Sequence, residues 1–121
     1  TFGGNLVDMY RFKLILEIMH HENLLSKVQE VGSYLLNKLN KLAIKFPGYL
    51  TNPRGVGLFC AFDLPSGIER DKLVSKALAH NMIILGSGDQ SIRFRPHLNV
   101  SIEDIDIALN IIHVCLKDMM N

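Results

Sequence analysis

The chain has 121 residues, 48% of them hydrophobic and 21% charged, with 13 basic against 12 acidic side chains. That is the composition of an ordinary folded domain able to bury a workable core. The formal charge of +1 argues against an electrostatic nucleic-acid binder. No apolar run is long enough to cross a bilayer, and Cys60 and Cys115 do not make a disulfide framework.

Residues 2–5, FGGN, read as turn material, with Asn5 placed to cap a helix. From Leu6 to His20 apolar residues fall on every side. Such a helix needs cover from more than one direction, which predicts self-association through it and reads the chain as the C-terminal portion of a longer protein. A second pattern opens at Glu22 and Asn23. Leu24, Leu25, Val28, Val31, Leu35, Leu39, Leu42 and Phe46 recur every three to four residues, predicting one long amphipathic helix stopped by Pro47-Gly48. LTNPRGVG, residues 50–57, is taken as a break. LFCAFDL at 58–64, between Gly57 and Pro65, predicts a strand.

Residues 68–80 repeat the helical spacing, with Asn81 as the stop. MIIL at 82–85 predicts a short strand, GSGDQ a turn, and SIRFR at 91–95 a further strand ended by Pro96. Ser101 with Asp104 resembles a capping box opening a last helix striped by Ile102, Ile105, Leu109, Ile112 and Leu116. The expected class is α+β: two N-terminal helices, one of them long, then a small, mostly antiparallel sheet covered by helices on one face. The domain reading is an interdomain helical segment over 1–46 and a small α+β domain over 47–121.

Candidate chemistry centres on GSGDQSIRFRP, residues 86–96. Strand alternation sends Ile92 and Phe94 toward the helices and gives Arg93 and Arg95 the other face. A solvated face with snorkelling arginines has the same pattern. The alternative is a carboxylate or phosphate site, because the guanidinium fork binds such groups with two parallel hydrogen bonds, and Gly86 and Gly88 allow close approach of backbone. The sequence pattern alone leaves both open. The 5 histidines lack partners at metal spacing, so no metal site is expected. Cys60 and Cys115 read as buried, inert thiols, and RGVG at 54–57 is too short for a phosphate loop.

TFGGN at the start, KFPGYLTNPRGVGLFCAFDLP at 45–65 and GSGDQSIRFRP at 86–96 together resemble the C-terminal part of class-III, fold-type-I pyridoxal-phosphate aminotransferases. Within that class the likeness is closest to the 4-aminobutyrate enzymes, and it spans essentially the whole chain; Leu6, Val56 and Ser87 depart from the class pattern. The resemblance implies a homodimer with pyridoxal 5′-phosphate bound by a lysine outside this chain, so that the 121 residues alone would be inactive. It implies transfer of the amino group of 4-aminobutyrate to 2-oxoglutarate, giving succinic semialdehyde and glutamate, in the mitochondrial matrix. Ornithine or β-alanine enzymes and a non-catalytic binding module are the alternatives. It places Thr1 on the cofactor phosphate across the dimer interface. Arg93 would pair with a glutamate at rest and with the α-carboxylate of glutamate or 2-oxoglutarate in turnover. Gly86 and Gly88 would line the substrate pocket, with Arg95 in a supporting position.

Overall fold

The computed structural model describes residues 3–120. In chain order it contains α1 (Leu6–His21), α2 (Leu24–Lys45), β1 (Thr51–Val56), β2 (Phe59–Asp63), α3 (Gly67–Ala79), β3 (Leu85–Ser87), β4 (Ser91–Phe94) and α4 (Ile102–Met120). The strands form one antiparallel sheet in the order β1-β2-β4-β3. This is the α+β arrangement expected from the sequence.

Local chemistry sets most helix ends. The Asn5 side chain accepts from the backbone N–H of Val7 and Asp8, satisfying two donors that the first turn of α1 cannot pair internally. Ser66 accepts from the Glu69 N–H at the start of α3. At α4 the box is reciprocal: Ser101 Oγ accepts from the Asp104 N–H at 3.0 Å and donates to the Asp104 carboxylate at 2.9 Å. Asn23 and Asn81 take left-handed backbone, with φ of 52° and 61°. Asn tolerates that region better than other side chains; here it turns the chain between α1 and α2 and away from α3.

The stripe of α2 is buried as its spacing requires: Leu35, Leu39 and Leu42 join Cys60, Phe62, Ile92 and Phe94 of the sheet and Ile105, Ile112 and Leu116 of α4 in one core. α2 therefore shares its core with the 47–120 part of the chain. Cys60 and Cys115 are both buried and free, and desolvation pushes both thiols up. α2 and α4 are further tied by Asp106, which accepts from the Tyr34 hydroxyl and pairs with Lys38 at 3.0 Å. α1 differs in kind. None of its residues is buried, and Leu6, Met9, Tyr10 and Phe12 are all 60% exposed or more.

Two elements depart from the sequence reading. LTNPRGVG is no break: residues 51–56 form β1, at the sheet edge. Pro53 is tolerated there because an edge strand has a side with no ladder to donate to. A bulge between Thr51 and Arg54 absorbs the irregularity, with Asn52 at φ 51°. The strand expected at 82–85 lies at Leu85–Ser87 instead, and the turn shrinks to residues 88–90. Gly86 and Ser87 belong to the ladder because they pair with Ile92 and Ser91.

Candidate functional site

Helices cover one face of the sheet, and the opposite face is left open. Strand register arranges that face in rows. Arg54, Ala61, Arg93 and Leu85 are partners across β1, β2, β4 and β3, and Thr51, Asp63, Ser91 and Ser87 form the adjacent row. Asp63 is the only acid on the four strands.

Asp63 is fully engaged. Its carboxylate accepts from Arg54 Nη1 at 2.9 Å, Ser91 Oγ at 2.5 Å and Asn52 Nδ2 at 2.8 Å. Arg54 Nη2 also donates to Ser91 Oγ at 3.0 Å. Burial pushes the Asp63 carboxyl up. The hydrogen bonds from Ser91, Asn52 and Arg54 and the Arg54 charge together outweigh it and hold the group below the usual carboxylate range.

Arg93 is the reverse case. It makes no ion pair with the described residues. Its Nε is the one buried side-chain polar atom among them that lacks a hydrogen-bond partner. An unpaired buried donor on a charged group carries a desolvation cost of roughly 1–3 kcal/mol or more, so the arrangement favours an acceptor brought from outside. Arg93 and Arg95 line one cleft of about 490 Å³ together with Met82, Leu85, Pro96 and Asp104. The single acid there, Asp104, is already bonded to Ser101. The walls are otherwise largely apolar, which strengthens any ion pair formed inside.

The remaining predicted positions fall as follows. Arg95 lies one residue past β4 and is exposed, so it shares the cleft with Arg93 but not its burial. Gly86 pairs with buried Ile92, and a Cβ placed there would stand 2.6 Å from Arg70 Cδ and 2.9 Å from Arg70 Nη1. The missing side chain makes room for Arg70, whose Nη1 donates to the Gly88 carbonyl at 2.9 Å and ties the turn to α3. Gly88 holds φ 54°, the left-handed region that glycine enters without steric cost. Thr1 lies outside the described residues. The sequence reading missed Arg54 and Asp63 as a pair; an Arg and an Asp placed to meet across a hairpin were the only signal for them.

The described residues do not themselves cradle a pyridoxal phosphate. Every lysine stands on a helix, none on the strand face of Arg93, so no amine for a Schiff base stands beside the two cleft arginines, which offer contacts for an anion.

Comparison with known proteins agrees with the fold. The family model for aminotransferase class-III matches residues 1–116. The L-lysine-epsilon aminotransferase of Mycobacterium tuberculosis is 43% identical over 109 residues, 90% of this chain and 24% of that protein. The mitochondrial 4-aminobutyrate aminotransferase of Sus scrofa is 38% identical over 104 residues, covering 86% and 21%. The solved lysine aminotransferase of M. tuberculosis superposes with a TM-score of 0.94 at 41% identity, over 98% of this chain and 27% of that one. The chain thus spans about a quarter of the length of these relatives. A family match over nearly all of the sequence and the near-coincident fold agree: the chain belongs to the class-III aminotransferases.

Proposed function

We propose that this chain is the carboxylate-reading part of a pyridoxal-phosphate-dependent transaminase, and that Arg93 binds the carboxylate of the amino acceptor, 2-oxoglutarate, and of the glutamate formed from it. The observation that carries this is the buried, unpartnered Arg93 Nε on an open sheet face whose only acid is held by another arginine. Arg95 adds positive potential at the mouth of the same cleft. Gly88 places no side chain at the first position of the adjoining turn and holds φ 54° there. When bound, the cofactor supplies the electron sink for moving the amino group. This chain supplies acceptor binding and orientation.

The donor proposed first is a terminal amine on a short carboxylic acid, with the ε-amine of lysine ahead of 4-aminobutyrate. The lysine-epsilon aminotransferases share more identity with the chain than the 4-aminobutyrate enzymes do. Likeness of GSGDQSIRFRP to the 4-aminobutyrate enzymes supports the second donor. A mitochondrial matrix location goes with that second reading, since those relatives are mitochondrial by name. A homodimer is proposed on the bare apolar surface of α1. Thr1, on this reading, reaches the partner's cofactor phosphate.

In the full-length enzyme Arg93→Lys keeps the charge and loses Nε and the planar fork. The expected loss is roughly 1.5–3 kcal/mol, the scale of a hydrogen bond to a charged group, read as a 2-oxoglutarate KM raised by about 10- to 150-fold. An unchanged KM overturns the assignment. Single-turnover amino transfer from lysine and from 4-aminobutyrate ranks the donors.

A further inference from the structure

We propose that Arg54 is a positioning residue for Arg93. It occupies Asp63, the one acid on the open sheet face, and so keeps Arg93 available to an incoming carboxylate. The inference rests on the reading of Arg93 as the acceptor ligand.

Register gives Asp63 a choice of partner. Arg54 and Arg93 both face Ala61, one from each neighbouring strand, while Asp63 sits two residues along on the same face of β2. Each arginine is therefore a diagonal neighbour of the carboxylate, about 7–8 Å away at Cα and within reach of a long side chain. The structure resolves the competition entirely for Arg54. Asn52 and Ser91 reinforce the choice, filling the acceptor sites that Arg93 could otherwise use. The β1 bulge is part of the device, because it brings both Asn52 and Arg54 onto the same carboxylate. Arg54 Nη1 also donates to the Asn52 carbonyl at 3.0 Å, closing the group. Ser91 lies between the two systems, accepting from Arg54 and donating to Asp63.

Freed from Arg54, Asp63 would turn to Arg93. Apparent affinity for a ligand falls by the fraction of protein held in the incompetent state. If nine molecules in ten carried the Asp63–Arg93 pair, the acceptor would bind about tenfold more weakly. The loss would fall on acceptor binding and not on the later chemistry.

The test is steady-state kinetics of the full-length holoenzyme with 2-oxoglutarate as the varied substrate, on Arg54→Gln, on Arg54→Gln with Asp63→Asn, and on Arg93→Lys. Arg54→Gln is expected to raise the 2-oxoglutarate KM about tenfold with kcat within about twofold. Removing the acid in the double variant should return KM to within about threefold of wild type, a rescue that a merely structural role for Arg54 does not give. An Arg54→Gln enzyme with unchanged KM, beside an Arg93→Lys enzyme with raised KM, overturns this inference and leaves the reading of Arg93 standing. Unchanged KM in Arg93→Lys removes both. Raised KM that the double variant does not restore means that Arg54 acts only by holding the sheet, and also overturns the proposal. Should Arg54→Gln fail to fold, Arg54→Met takes its place in the same comparison, with and without Asp63→Asn: a KM raised about tenfold and restored by the second change upholds the proposal, and any other pattern overturns it.

Discussion

Gly32 is where α2 meets the hairpin that carries Asp63, and Gly32→Ala tests how rigidly that hairpin is held. A Cβ on residue 32 would stand 2.2 Å from the Gly57 carbonyl oxygen, 2.3 Å from its carbon and 2.7 Å from its Cα. All three obstacles are backbone, at the first position of the two-residue β1–β2 turn, where Gly57 holds φ 54°. No side chain can swing aside. Restoring ordinary contact at 3.4 Å requires the helix and hairpin to separate by about 1.2 Å. Overpacking costs roughly 1–3 kcal/mol even where neighbours yield, so the upper end applies. Alanine returns at most about 1 kcal/mol in helix propensity. The net expectation is a loss of about 2 kcal/mol, or about a 30-fold smaller folding constant. Native-state hydrogen exchange of the α2 and β1–β2 amides in the full-length protein measures it. Protection equal to or above wild type would refute the reasoning, since helix propensity would then have outweighed the clash.

The milder counterpart is Gly86→Ala. Its Cβ meets only the Arg70 side chain, which can move at the cost of its bond to the Gly88 carbonyl, about 1 kcal/mol. Faster exchange at residues 88–90 with the rest of the fold unchanged is expected; a loss above about 3 kcal/mol contradicts it. The Asp63 carboxyl, held below its ordinary value of 3.8, contributes stability that is fully present above that pH and is lost as pH falls through the lowered value. Carbon NMR should place its titration below 3.8, and urea unfolding should lose less stability between about pH 5 and pH 3 in Asp63→Asn than in wild type. A wild-type Asp63 that titrates at or above the ordinary value removes the basis for its network. Ser101→Ala removes the α4 cap and should cost about 1 kcal/mol, measured by the same unfolding; no change would mean that the Asp104 end of the box suffices.

The amino-acid sequence by itself determined the helices, because the forces that start and stop them act within a turn or two. Asn5, Ser101 with Asp104, and Asn81 act on backbone groups next to them, and the three-to-four-residue stripe of α2 points wherever a core exists. It also determined that Arg93 and Ile92 face opposite ways, since strand alternation is local. The tertiary structure alone decided β1. Asn52, Pro53 and Gly55 prefer turns when considered singly, and only pairing with β2 makes them a strand. It shifted β3 onto Leu85–Ser87 for the same reason, since ladder partners on β4 outweigh glycine's local preference. It separated two arginines that look equivalent in RFR: the end of β4 leaves Arg95 exposed, while packing buries Arg93 Nε without a partner. And it chose Arg54 for Asp63, a contact between residues 9 apart in sequence that only a bulged hairpin brings together.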